Sequence, residues 1–273
     1  MKNLIVQVDI QGKCKENKMH GYFTDLYENS KQEFIYYAKK VNADYLCIHT
    51  QNYPLHATYE RFQIFEEAFD NYDMILYVDC DIIPTHSAPN IFEEYSSAEF
   101  AAFSEGSVFY GNNRELQTEF NLNSRMENII NRRFQKGYIQ EEQQYLSEDW
   151  LENTYFNGGV FLISKSARLK IRKAGMERYL KQYALYDQSA MNRMIYENNI
   201  PFTHLSYKYN GLFHFLDNPL KAKIIKSSYF VHFCGPMKNL YTILENEFGH
   251  NWQTKNISEN DICAILDKKA EII

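Results

Sequence analysis

The chain has 273 residues and a mass of 32.4 kDa, which suits one large domain with insertions and needs no disulfide staple. Hydrophobic residues are 45% and charged residues 23%, which excludes a disordered or fibrous chain. Lys and Arg total 29 against 35 Asp and Glu, a net charge of −6, and that argues against a dedicated nucleic-acid binder.

From the N-terminus, residues 3–8 read as a buried first strand. Ser30-Lys31-Gln32-Glu33 fits a capping box, with Phe34, Tyr37, Ala38 and Val41 following at helical spacing. A second strand is expected at 43–48, and a second helix carries Tyr59, Phe62, Phe65 and Phe69. Met74-Ile75-Leu76-Tyr77-Val78 is a continuous apolar run, as in a strand covered on both faces. This alternation predicts an α/β fold with a mostly parallel, doubly wound sheet flanked by helices. Residues 107–152 break the rhythm and read as a helical insertion. A strand follows at 155–163, then a basic helix at 165–181, read as a solvated face. Asp187 fits the cap of the next helix, a late strand spans 229–233, and the tail 240–273 reads as helical and polar. The whole, 1–273, is expected to be one domain. No apolar run reaches the length of a membrane span. The five cysteines, Cys14 among them, share no metal-type spacing and read as reduced thiols. A cytoplasmic protein with weak peripheral membrane contact at most is the expectation.

Ligands of open α/β sheets bind beyond the carboxyl ends of the strands, so the residues after Val78 draw attention first. Asp79-Cys80-Asp81 places two carboxylates where they can share one divalent cation, and oxygen ligands select Mg²⁺ or Mn²⁺. The same tripeptide fits a plain turn, or a phosphatase of the haloacid dehalogenase type. That second pattern continues Gly-Thr, whereas Ile82-Ile83-Pro84-Thr85 follows here. His232-Phe233-Cys234-Gly235-Pro236-Met237-Lys238 offers an imidazole that would tilt the site towards Mn²⁺, a glycine and a cation. Each of these residues alone also fits a core histidine or a turn. Asn157-Gly158-Gly159 opens an apolar strand, and Asp187-Gln188 opens a helix.

Taken in order, Asp-x-Asp, Tyr-Phe-Asn-Gly-Gly-Val-Phe-Leu-Ile, Asp-Gln-x-x-x-Asn and His-Phe-x-Gly-x-x-Lys resemble glycosyltransferase family 8, from about residue 3 to Lys238. That resemblance implies a GT-A fold and a retaining transferase that uses a UDP-sugar and Mn²⁺. It implies metal binding by Asp79, Asp81 and His232, and donor binding by Asp9, Arg61, Asp79, Gly235 and Lys238. Asn157, Asp187 and Gln188 fall beside the reacting sugar, and Lys208-Tyr209-Asn210 resembles a Tyr-Asn element of the family. The partners implied are a nucleotide-sugar donor and a carbohydrate or glycoconjugate acceptor. Of the N-terminal uridine loop, Val8-Asp9-Ile10-Gln11-Gly12, only Asp9 is carried over. The 107–152 segment is expected to overhang the sugar end. Its Tyr110, Phe120, Phe134, Tyr138, Tyr145 and Trp150 would stack on sugars, and Glu141, Glu142, Glu148 and Asp149 would bond acceptor hydroxyls. An inverting transferase, a sugar-nucleotide pyrophosphorylase and a non-catalytic nucleotide-sugar-binding module remain as alternatives.

Overall fold

The computed structural model of the protein describes residues 1–10, 24–122, 124–212, 214–249, 252, 255 and 257–268. Gln11, Gly12 and Cys14, and the tail residues 269–273, lie outside the described residues. In chain order the elements are β1 (Asn3–Val8), α1 (Thr24–Lys40), β2 (Asp44–Ile48), β3 (Met74–Val78), β4 (Ile82–Pro84), α2 (Ile91–Glu94), β5 (Phe100–Ser104) and α3 (Glu105–Phe109). There follow α4 (Arg114–Phe120), α5 (Glu127–Gln135), α6 (Tyr138–Gln143), β6 (Phe156–Ser164), α7 (Lys165–Lys173), α8 (Tyr186–Glu197) and β7 (Phe202–His204). The chain continues through β8 (Gly211–Leu212), α9 (Asn218–Ser227), β9 (Phe230–His232), α10 (Lys238–Phe248) and α11 (Glu259–Lys268).

Six strands form the main sheet in the order β2-β1-β3-β6-β5-β7. β1 runs parallel to β2 and β3, β5 runs parallel to β7, and only β6 opposes its neighbours. Successive side chains of a strand face opposite ways, and both faces here are covered. Ile75 and Tyr77 enter a core with Ala167 and Ile171 of α7 and Met191, Met194 and Ile195 of α8. Met74, Leu76 and Val78 enter another with Phe34 and Tyr37 of α1 and Phe92 of α2. That two-sided burial explains the unbroken apolar run of β3. A small sheet, β4-β9-β8, packs with α9, α10 and α11 around Val231, Phe233 and Leu240.

The sequence reading is corrected at three places. α1 starts at Thr24, upstream of the expected capping box, and Ser30 is buried inside it. The Ser30 hydroxyl bonds Ile82 O at 2.6 Å and accepts from Gln7 Nε2 at 2.8 Å, so it staples helix to sheet rather than capping. The expected helix around Tyr59–Phe69 is two 3-10 segments, Ala57–Phe65 and Glu67–Phe69. Its residues Tyr59 to Phe65 are all buried, including Glu60 and Arg61, so no solvent face exists to set an amphipathic α-helical period. The basic stretch after β6 ends as a helix at Lys173, and its Arg168 is 1% exposed. The Arg168 guanidinium donates to the carbonyls of Ile64, Phe69 and Tyr72, tying α7 to the 3-10 segments. Burial lowers its pKa to about 10.

Replacing Arg168 by Met should strand buried carbonyls that water cannot reach. The expected loss is about 2–3 kcal/mol, at the upper end of what an unsatisfied buried group costs. Urea denaturation of the two proteins measures it, and an unchanged midpoint would contradict this role for the guanidinium.

Candidate functional site

The carboxyl ends of β1, β3 and β5 and the amino end of the reversed β6 share one edge of the sheet. Asp9, Asp79, Glu105 and Asn157 are the residues that leave that edge. The small sheet then adds its own contribution. β4 begins directly after Asp81, Ile82 pairs with His232, and Phe233 N donates to Asp81 O at 2.9 Å. Strand pairing thus carries His232 across 151 positions of sequence to the Asp-x-Asp turn. Ligand atoms of Asp79, Asp81 and His232 lie within 4.8 Å of one another.

Whether these three suit a cation follows from a chain of hydrogen bonds that begins at an unambiguous donor. Gly159 N–H donates to Asn157 Oδ1 at 2.9 Å, so that oxygen is an acceptor. Asn210 Nδ2 donates to the same oxygen at 3.1 Å, which turns Asn210 Oδ1 towards His232 Nδ1 at 2.8 Å. The neutral imidazole must therefore carry its proton on Nδ1 and present a bare lone pair at Nε2. Nε2 faces Asp81 Oδ1 at 3.3 Å, and that buried oxygen has no hydrogen-bond partner. Two lone pairs facing each other in a buried turn fit a shared cation, and the Asn210 contact fixes the ring in that orientation. Gly159 leaves the room: a Cβ there would stand 2.4 Å from His232 Cε1.

Arg61 knits the opposite side. Its guanidinium lies 2.9 Å from Asp79 Oδ1 and 2.8 Å from Asp187 Oδ2, donates to Gly158 O, and stacks on the Tyr77 ring at 4.5 Å. The Tyr77 hydroxyl adds a 2.7 Å bond to Asp79 Oδ1. Burial pushes the Asp79 carboxyl above its ordinary pKa, against the pull of Arg61. Burial opposes ionisation of Asp81 too, but the Lys238 ammonium, 3.1 Å from its Oδ2, holds it below the usual carboxylate range. Lys238 also donates to the Tyr27 hydroxyl at 2.8 Å. Asp187 is not the helix cap that its position suggested. It lies within the first turn of α8, whose cap residue Leu185 makes no side-chain bond, and its carboxylate belongs to Arg61. Gln188 Oε1 accepts from Asn157 Nδ2 and Gly158 N, both at 3.3 Å, and its Nε2 donates to Glu105 at 3.0 Å.

Two cavities meet at this centre and share Thr58, Arg61 and Asp79. One, of about 290 Å³, is lined by Asp9, Ile10, Tyr27, Asp81 and Lys238. Asp9 is buried there and paired with Lys31 at 2.8 Å. The other, of about 620 Å³, is lined by Glu105, Asn157, Asp187, Gln188, Gly235 and the α5 residues Ile129, Arg132 and Arg133. The 107–152 segment thus overhangs the cleft, but not with the expected groups. Glu142 is buried on Tyr155 and Ser189, and Glu141 accepts from Ala184 N. Trp150 packs on Tyr196 and Phe202, and Phe120 packs on Tyr207. Only Tyr138 of the six aromatics lines this cleft, beside Lys136.

Sequence reasoning passed over Gln7, Tyr77, Glu105 and Arg133. Gln7 was legible as a polar residue inside a buried strand; its amide reaches Asp79 O at 3.3 Å. Glu105 pairs with Arg133 at 2.9 Å across the insertion, which no local pattern announces.

A mostly parallel sheet with a carboxylate pair at the end of β3 and a histidine delivered by a second, small sheet defines a GT-A glycosyltransferase. Residues 14–239 match the family model described as Glycosyl transferase family 8, and the chain belongs to that family. Comparison with curated proteins gives no match. Among solved structures, a glycosyltransferase involved in glycosylation of the major capsid of PBCV-1 superimposes with a TM-score of 0.50 at 14% identity, over 88% of this chain and 100% of that one. The glycosyltransferase GlyE of Streptococcus pneumoniae TIGR4 gives 0.46 at 13% identity, over 99% of this chain and 64% of that one. The galactosyltransferase LgtC, solved with donor and acceptor sugar analogues, gives 0.41 at 14% identity, over 90% and 96%. At 14% identity the first of these likenesses speaks to fold alone.

Asn210→Ala removes the group that orients His232 without touching a ligand atom. Divalent-ion affinity, measured by calorimetry, should fall about 10- to 100-fold, as for other lost partners of a ligating histidine. A native circular dichroism spectrum with unchanged affinity would contradict the assignment.

Proposed function

We propose that the protein is a retaining glycosyltransferase that moves a hexose-type sugar from a UDP-sugar to a hydroxyl of a glycan acceptor with the help of Mn²⁺. The observation that carries this reading is the pair of facing lone pairs on His232 Nε2 and Asp81 Oδ1, with Asp79 beside them. The mixed nitrogen and oxygen donor set favours Mn²⁺ over Mg²⁺. When bound, the cation supplies Lewis-acid stabilisation of a departing diphosphate.

The chain's own residues do the rest. Lys238 stands ready to offset a second negative charge on the diphosphate. Gly235, exposed and with φ +57, leaves open space where a phosphate can approach the backbone. Asp9 closes the nucleoside end of the smaller cavity. The amides of Asn157 and Gln188 hold each other in fixed orientation beside the sugar, which favours a single reactive pose.

The way the carboxylates are spent supports a retaining course. The larger cleft is lined by Asp79, Asp187 and Glu105, and each is ion-paired with Arg61 or Arg133. An inverting enzyme needs a carboxylate free to take the acceptor proton. Double displacement needs one free to attack carbon. Neither is available on this lining. The arrangement supports a same-face exchange: the bond from the anomeric carbon to the diphosphate breaks, the acceptor oxygen bonds that carbon from the same side, and its proton passes to the leaving phosphate oxygen. No described helix is long and apolar enough to cross a membrane. Cys47, Cys80, Cys234 and Cys263 are free thiols, which supports a cytoplasmic setting.

A screen of nucleotide-sugars for release of the nucleotide tests the donor, and NMR of the product tests the course. UDP release should stop in excess chelator and return with Mn²⁺ at least as well as with Mg²⁺. The first-formed product should keep the donor's anomeric configuration. Full activity in chelator, turnover of a GDP-sugar alone, or an inverted product would each overturn its part of the reading.

A further inference from the structure

The overhanging wall of the larger cleft carries two cations that no carboxylate of the described residues pairs. Ile129, Arg132, Arg133 and Lys136 all line that cleft, and their spacing of three and four puts them on one face of α5 and its end. Arg133 is neutralised by Glu105 and held flat on the Phe109 ring at 4.4 Å. Arg132 and Lys136 are exposed, and neither has a carboxylate partner among the described residues. Lys136 lies over the Tyr138 ring at 5.8 Å, which leaves its ammonium directed by an aromatic face rather than spent.

The other charges of the cleft sum to −1, because two carboxylates share Arg61 and one faces Arg133. Its carboxylates Asp79 and Asp187 answer Arg61, and Glu105 answers Arg133. His214, also on the lining, is kept neutral near pH 7 because burial lowers its pKa to about 4. The donor's diphosphate has its own cation, Lys238, in the other cavity. Arg132 and Lys136 bring that sum from −1 to +1 and are the cleft's two cations without a carboxylate partner among the described residues, at the acceptor side of a chain whose net charge is −6. Two such cations at the rim of a cleft on an acidic protein attract anions there.

We infer that Arg132 and Lys136 read an anionic group on the acceptor, a phosphate or a carboxylate carried on the sugar that receives the transfer. This rests on the glycosyltransferase reading above and adds the acceptor's chemical class to it. Arg132 offers a planar fork suited to either anion, and Lys136 a mobile point charge that adapts to its position.

The test uses the whole protein with UDP and Mn²⁺. Glucose, galactose and N-acetylglucosamine are each titrated beside their 6-phosphate and, for the two hexoses, their uronate. Binding is followed by calorimetry. For at least one sugar an anionic twin should bind about tenfold tighter than the neutral one, an advantage that shrinks as salt rises. The advantage should fall to about threefold or less in Arg132→Gln/Lys136→Gln, whose exposed positions leave packing alone. If that double variant is unstable, each single variant should show part of the loss. The inference is overturned if no twin differs from its parent, if no sugar binds, or if the advantage survives the double substitution.

Two further arms separate other sources of the anion. A preference for UDP-glucuronate over UDP-glucose that vanishes in the variant would move the anion to the donor. Sedimentation with phosphatidylglycerol vesicles that depends on the same pair, without any difference between twins, would make the rim a lipid contact. Either outcome overturns the acceptor assignment. Release of UDP from a donor without acceptor checks the transferase reading independently, so the two failures are distinguishable.

Discussion

Arg61 lies buried between carboxylates from two distant parts of the chain, Asp79 at the end of β3 and Asp187 in the first turn of α8. Two carboxylates so placed would stand buried and uncompensated without a cation between them. With it, the Asp-x-Asp turn, the β6 entry at Gly158 and the start of α8 are fixed to one rigid planar group. The 3-10 geometry of Ala57–Phe65 has a reason in this light. The segment brings Arg61 under the turn while Glu60 accepts from the backbone N–H groups of Asn52 and Tyr53. Glycine at 158 is part of the same constraint, since a Cβ there would lie 2.7 Å from the guanidinium.

The other side of the centre obeys a different logic. There, orientation is passed along neutral amides, from the Gly159 N–H through Asn157 and Asn210 to the imidazole. Nothing in that relay carries charge, so it sets the tautomer of His232 without adding to the electrostatic load of the site. Charge is left to Arg61 and Lys238, which bracket the two aspartates from opposite directions.

Much of this was readable in the residues, and the unreadable part has a common cause. The apolar run of β3 announced a strand buried on both faces, and its end announced the carboxylates. The histidine motif named the third member of the group, although no periodicity says that β9 pairs with β4. What escaped were polar residues whose partners are remote. Ser30 looked like a cap because its local sequence fits one, yet its hydroxyl serves Ile82, 52 positions away. Arg168 looked solvated because helices with many cations usually are, yet it satisfies three carbonyls. The acids of the insertion looked available because they cluster, and Glu142 is committed to Tyr155 and Ser189. Local pattern reports a residue's own conformation well; it reports the far end of its hydrogen bond only when the motif is shared by a family.

The seam between β4 and β9 has a thermodynamic side. Only three residues of each strand pair along it, and it joins the small sheet to the turn that carries Asp79 and Asp81. A cation held by Asp79, Asp81 and His232 would span that seam, so its binding free energy is also free energy of docking the carboxy-terminal sheet. Protons would compete with it at the same three side chains. Opening of the seam and emptying of the site are then one equilibrium, and amide exchange in β9 becomes a gauge of how firmly the ion is held.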